Sequence, residues 1–432
     1  MSAAPLSSAY LRRLVDNELD ELSGLPAVVL EGAKGVGKTE TARRRARTIH
    51  RLDRPDEQAL VEADPDRLVR GTPPILIDEW QRYPASWDLV RRAVDDDPRP
   101  GRFLLTGSII PDDQSAPVHS GAGRIVTVRM RPLSLAERGV GVPTVSLREL
   151  LGGSRPTIAG TTSVGLSDYT DEMLASGFPG LRRLGPRALR AALDGYIDRI
   201  VTHDFPEMGV RVRQPALLRR WMEAYAAAVS STATIETLRD AAALERGKGP
   251  SKPTAFGYVN LLERLWIIEH IPAWLPSRNR LQRLAETPKR QLLDTAIAAR
   301  LLGLGADALL AGGPDDAIAP RDGTYLGSLF ESFVTGSVLC YAQSAEARVR
   351  HLRLRAPVQR EVDLIVERAD ARIVAIEVKL RRVIRDGDVR HLLWLQERIG
   401  SDLLDAVIVT TGGEAYRRQD GIAVVPAALL GP

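Results

Sequence analysis

Gly32-Ala33-Lys34-Gly35-Val36-Gly37-Lys38-Thr39 decides how the first third of this chain is read. It fits G-x-x-x-x-G-K-[ST] at every fixed position, follows the apolar run Ala27–Leu30 and opens a helical pattern over Glu40–Thr48. Strand, glycine-rich turn and helix in that order make an anion site. Glycines at 32, 35 and 37 let backbone amides from Gly32 through Val36 to Glu40 face phosphate oxygens, and the helix N-terminus adds partial positive charge. Lys38 is placed to reach β- and γ-phosphates, and the Thr39 hydroxyl to complete a Mg2+ shell. The expected ligands are ATP and Mg2+.

Downstream, Pro74-Ile75-Leu76-Ile77-Asp78-Glu79 reads as a buried strand ending in two carboxylates. Asp78 is expected to hold Mg2+ through water, and Glu79 to orient the attacking water as general base. A third strand, Phe103-Leu104-Leu105, ends in Thr106-Gly107-Ser108. Thr106, ranked ahead of Ser108, can meet the γ-phosphate or the lytic water; a plain strand-ending turn is the other reading. Arg124, after Gly121-Ala122-Gly123, is either an arginine finger, acting in cis or from a neighbouring copy, or a surface arginine in a turn. Arg43-Arg44-Arg45 and Arg47 read as a solvated helix face.

The 432 residues allow two or three domains. Composition is that of a water-exposed globular chain, 44% hydrophobic and 26% charged with mean hydropathy −0.13, and no run approaches the roughly 18 apolar residues of a membrane span. Acidic residues in Met1–Leu22 argue against an export signal, and the single cysteine, Cys340, suits a reducing cytoplasm. Net charge of +4 and a pI near 9.3 permit contact with nucleic acid without requiring it.

The pattern predicts strands at Ala27–Leu30, Ala59–Glu62, Ile75–Asp78, Phe103–Thr106 and Ile125–Arg129. It divides the chain into an N-terminal helix (1–22), a phosphate-loop α/β domain (23–140), a linker and helical lid (141–230), a helix-turn-helix-strand segment (231–275) and a second α/β domain (276–432). Gly141–Gly165, rich in Gly, Ser, Thr and Pro, reads as a linker or mobile loop. The later domain shows a helix containing Glu331, strands at Val362–Val366 and Ile373–Val378, a helix at Asp388–Arg398 and a strand at Ala406–Val409.

The chain resembles a family of bacterial and archaeal AAA-type ATPases that carry a C-terminal domain of unknown function related to PD-(D/E)xK nucleases. The likeness runs through Val28–Gly32, Ile77-Asp78-Glu79-Trp80-Gln81, Leu104–Ser108, Gly123-Arg124 and Arg131-Pro132-Leu133-Ser134. It continues through Gly177-Phe178-Pro179, Leu293-Asp294-Thr295-Ala296, Gly327–Glu331, Glu361-Val362-Asp363 and Glu377-Val378-Lys379. It implies ATP hydrolysis, a winged helix within 231–275 and a nuclease-like α/β fold at the end; the helices of 141–230 are read as a lid. The expected phosphate-loop fold is of the ASCE type, its catalytic strand lying between the loop strand and the Asp78 strand. The Gly247–Lys252 insertion departs from the family pattern.

Asp363 and Glu377 fall on consecutive strand patterns and can meet on one face of a hairpin, with Lys379 on the same side. Two carboxylates and a backbone carbonyl suit one Mg2+, with Lys379 stabilising developing charge and Glu331 as an outer ligand. The competing reading is a cross-strand salt bridge in a fold that only binds nucleic acid or a partner. The six histidines show no metal-ligand spacing, and His203-Asp204 reads as a helix C-terminal turn. The leading expectation is an ATPase whose nucleotide state controls the C-terminal domain on DNA, with self-assembly a further expectation. Its rival is a regulatory or defence-type switch whose C-terminal domain makes only protein contacts.

Overall fold

The computed structural model describes residues 10–109, 123–210, 212–243, 249–277, 283, 286–311, 325–354 and 358–432. Five strands form the first sheet: β1 (Ala27–Glu31), β2 (Thr48–Arg51), β3 (Ile75–Asp78), β4 (Phe103–Gly107) and β5 (Ile125–Arg129). They run parallel in the order β2-β3-β4-β1-β5, which sets β4 between the loop strand and the Asp78 strand. Ala27 and Val29 pack into one apolar cluster while Val28 and Leu30 pack into another. The sheet is therefore covered on both faces, as parallel sheets are.

Two expectations about this sheet are corrected. Ala59–Glu62 is not a strand: it lies in the helix Pro55–Ala63, which starts on proline with Asp56 and Glu57 in its first turn. Only Val61 of that helix is buried, so its short apolar run had mimicked a strand. The edge strand is instead Thr48–Arg51, because the loop helix is short, Lys38–Arg43. The chain then turns so that the Arg47 amide meets the Pro74 carbonyl at 2.9 Å.

The segment Gly141–Gly165 is not a free linker. It contains β6 (Val145–Ser146), the helix Leu147–Gly152 with Leu147, Leu150 and Leu151 buried, and β7 (Gly160–Thr161). Helices Leu166–Leu174, Pro186–Arg199, Pro215–Ala227, Ile235–Ala241 and Lys252–Arg264 follow, with a π-helical turn at Ile200–Asp204. A two-stranded antiparallel ribbon, β8 (Ile268–Ile271) and β9 (Lys289–Leu292), closes this block. The ribbon's second strand thus lies past residue 275, the boundary the sequence suggested. Gly247 and Lys248 of the insertion lie outside the described residues.

The helix Tyr325–Ser344 leads into β10 (Arg348–Leu354), β11 (Arg360–Glu367) and β12 (Ile373–Lys379). The helix Asp386–Ile399, β13 (Leu403–Thr410), β14 (Glu414–Arg417), β15 (Ala423–Pro426) and β16 (Leu430–Gly431) complete the chain. The second sheet has the order β10-β11-β12-β13-β15-β14-β7, so β7 from the supposed linker forms its edge. β16 pairs with β6 in the same way. One continuous apolar cluster joins one face of the first sheet, the helical block, the helix Tyr325–Ser344 and one face of the second sheet.

Candidate functional site

The loop after β1 keeps three glycines at positive φ: Gly32 at 155°, Gly35 at 88° and Gly37 at 105°. A Cβ on Gly32 would stand 2.2 Å from the Met130 carbonyl oxygen, so the close approach of the two chains requires glycine there. Lys38 is only 4% exposed, and its ammonium donates to the carbonyls of Gly32 at 2.7 Å and Ala33 at 2.9 Å. Burial pulls the Lys38 pKa down to about 8, with Glu79 and Asp78 opposing the shift. Burial also pushes Glu31, at the end of β1, up to about 7 against the pull of Lys38.

The ends of β3 and β4 meet the loop directly. The Thr39 hydroxyl donates to Asp78 Oδ1 at 2.8 Å, and the Thr106 hydroxyl donates to the same oxygen at 2.5 Å. Thr106 Oγ1 also accepts from the Glu79 amide at 3.1 Å. Burial raises the Asp78 pKa in spite of these two hydroxyls. Glu79 itself takes a left-handed backbone, φ 57°, uncommon for a residue with a side chain and a mark of a constrained site. Its carboxylate accepts from Ser108 Oγ at 2.7 Å and Gln81 Nε2 at 2.5 Å. Ser108, ranked behind Thr106 on sequence, is therefore the hydroxyl that bonds the Glu79 carboxylate, while Thr106 holds its amide.

Glu40, in the first turn of the loop helix, pairs with Arg43 and Arg44 at the surface. Arg45 does not share that solvated face, since it bonds Asp16 at 2.6 Å and Asp20 at 2.8 Å. Arg124 precedes β5 at the strand's N-terminal end, whereas Arg129 at the other end pairs with Glu31 beside the loop. A five-residue strand spans roughly 17 Å, which sets Arg124 at the far end of β5 from its own phosphate loop. Arg124 instead forms an ion pair with Asp95 of the helix Ala85–Asp96.

Several residues around the loop escaped sequence reasoning. Lys34 Nζ lies 2.6 Å from Asp204 Oδ1 and 3.1 Å from Glu207 Oε2. Tyr196 donates its hydroxyl to the Lys34 carbonyl at 3.1 Å, and Arg82 reaches Glu207 at 3.2 Å. His203-Asp204 thus belongs to a π-helical turn that grips the loop, not to a plain helix end. Arg13, buried at 4% exposure, donates to the carbonyls of Val36 at 2.9 Å and Arg131 at 2.7 Å and pairs with Glu137 at 2.9 Å. The only signal for Arg13 was an arginine on an N-terminal helical pattern, which normally means a wet surface.

A partly buried ion cluster links the first sheet to the ribbon. Glu269 on β8 meets Arg129 at 2.7 Å and Arg131 at 2.8 Å, and Arg131 also reaches Gln343 at 2.5 Å. Burial alone would raise the Glu269 pKa, but Arg131 and Arg129 overcome it and hold it down at about 2.

Asp363 and Glu377 do come together on β11 and β12, and the neighbouring Val378 amide donates to Asp363 Oδ2 at 2.9 Å. The other Asp363 oxygen, however, accepts from the ammonium of Lys289 at 3.1 Å. That ammonium also bonds Glu331 at 2.7 Å and stands 3.8 Å from Glu361. Lys379 pairs with Glu377 Oε1 at 2.8 Å, while Glu377 Oε2 is buried without a hydrogen-bond partner. Burial raises the pKa of Glu331 and of Glu377, and Asp363 adds to both; Lys289 is held charged, its own pKa raised by the carboxylates around it despite burial. Among the described residues no three His, Cys, Asp or Glu side chains are arranged to hold a metal. The arrangement therefore does not fit the Mg2+ expected on Asp363 and Glu377.

Comparison with known proteins agrees with the first half of this picture. A model described as an AAA domain matches residues 25–138, which points to ATP binding and hydrolysis. Domains of unknown function, DUF8612 and DUF4143, match residues 166–308 and 326–430. Two uncharacterized proteins, from Mycobacterium bovis and Mycobacterium tuberculosis, are each 26% identical over 315 residues, covering 72% of this chain. The chain spans 61% of the length of these relatives. No described helix is long and apolar enough to cross a membrane.

Proposed function

We propose that this chain is an ATP-hydrolysing switch whose nucleotide state is relayed through the helical block to a nuclease-like C-terminal domain that meets DNA. The observation that carries the first part is the convergence of Thr39 and Thr106 on Asp78, with Ser108 and Gln81 holding Glu79 beside them. In this reading Lys38 and the loop amides bind the phosphates, and Thr39 and Asp78 hold Mg2+. Bound with ATP, Mg2+ neutralises charge on the phosphates. Glu79 takes the proton of the attacking water, and Ser108 and Thr106 fix where its carboxylate and backbone stand.

Two features support the relay. Lys34 ties the loop to Asp204 and Glu207, and Glu269 ties β5 and Arg131, two residues past it, to the ribbon. The helices Pro215–Ala227, Ile235–Ala241 and Lys252–Arg264 followed by a β-ribbon have the order of a winged helix, which supports DNA as the partner by fold analogy. A second reading, a C-terminal domain that binds partners without cleaving, is favoured by one observation: Lys289 sits among the carboxylates. ATPase rate with and without duplex DNA separates the two. Stimulation by DNA supports the DNA-directed switch; a rate indifferent to DNA supports a switch that works through protein contacts.

A further inference from the structure

We propose that Lys289 is the resident cation of the Glu331–Glu361–Asp363 cluster, supplied by the ribbon in the place where a divalent metal would otherwise bind. The side chain is 1% exposed and arrives from β9, an element outside the second sheet. Its ammonium bonds Glu331 and Asp363 at 2.7 and 3.1 Å and stands 3.8 Å from Glu361. Carboxylates this close in a buried site repel one another unless a cation lies among them. Lys289 provides one positive charge, and Lys379 pairs with Glu377. One oxygen of Glu377 keeps no hydrogen-bond partner, so the cluster retains acceptor capacity that the two lysines do not use. Without the ammonium these carboxylates would have to close around another cation, and hard, oxygen-seeking divalent ions are the chemical class that carboxylate oxygens take.

The lysine's position also makes it movable by a distant event. β9 pairs with β8, and Glu269 on β8 lies opposite Gln291 on β9, two residues from Lys289. Glu269 is in turn the partner of Arg129 and Arg131 beside the phosphate-loop strand. A shift of the ribbon would carry Lys289 with it. The occupancy of the cluster by Lys289 stands independently of the nucleotide reading: loss of ATPase activity would leave it untouched.

The test uses the full chain without nucleotide and reads melting temperature and Mn2+ binding by calorimetry. Lys289→Ala should melt lower than wild type and be raised by saturating Mn2+, by roughly 5 °C. Wild type and Lys289→Ala/Asp363→Asn should show no such rise. A folded Lys289→Ala that ignores Mn2+ overturns the inference. So does wild type binding Mn2+ at a site that Asp363→Asn abolishes. Should Lys289→Ala not fold, that last comparison decides alone: the inference requires the same Mn2+ isotherm for wild type and Asp363→Asn.

Discussion

Lys34 of the phosphate loop is held 2.6 Å from Asp204, a carboxylate 170 residues further along the chain. The contact sets a side chain of the nucleotide loop against a π-helical turn in the helical block. Nucleotide phosphates and the carboxylates of Asp204 and Glu207 would compete for one ammonium. Asp204→Asn should therefore raise ATP affinity several-fold while lowering the melting temperature, since a hydrogen bond to a charged group contributes about 1.5–3 kcal/mol. Titration with a fluorescent ATP analogue and a thermal melt check both signs. Weaker nucleotide binding in the variant would contradict the competition.

Nucleotide affinity should also depend on alkaline pH. Burial lowers Lys38 to about 8 in the nucleotide-free protein, and phosphate oxygens favour its charged form in the complex. Binding above pH 8 thus takes up a proton, and affinity should fall by up to tenfold per pH unit there. Isothermal titration in buffers of different ionisation enthalpy should show that uptake at pH 9 and little of it at pH 7.

Glu269→Gln should destabilise the chain by about 1.5–3 kcal/mol near neutral pH, because Arg129 and Arg131 would lose the partly buried anion they share. The folded-state pKa of about 2 lies below the ordinary 4.5. The stabilisation is therefore complete above pH 4.5 and is lost as pH falls toward 2. Denaturant midpoints of the two proteins should converge over that window and stay apart at pH 7.

Arg124→Ala should leave ATPase activity unchanged at low protein concentration, since Arg124 pairs with Asp95 away from its own phosphate loop. A steady-state rate assay decides it. A drop in the variant that appears only as protein concentration rises would assign Arg124 to a neighbouring copy's site.

The glycine loop and four of the five parallel strands, with Asp78 and Glu79 at the end of one, were legible because each rests on local sequence: a glycine pattern, apolar runs and what ends them. Strand Thr48–Arg51 was missed because its mixed residues continued a helical pattern, and the helix Pro55–Ala63 was misread from a three-residue apolar run. Gly141–Gly165 looked like a linker because Gly and Pro report turns, not exposure; its buried leucines pack where no local pattern shows. Lys34–Asp204, Arg13–Val36 and Lys289–Asp363 join residues 170, 23 and 74 positions apart. Contacts of that kind depend on tertiary packing. A lysine arriving from the ribbon to meet Glu331 and Asp363 leaves no trace in the spacing of Asp363, Glu377 and Lys379.

In the proposed reaction Glu79, held by Ser108 and Gln81 beside Asp78, activates the water that attacks ATP. The direct measurement is single-turnover hydrolysis and equilibrium ATP binding for wild type and Glu79→Gln, with Mg2+ present. The variant should keep wild-type affinity and hydrolyse more slowly by roughly 10²–10⁴-fold. Hydrolysis by Glu79→Gln at the wild-type rate would contradict it.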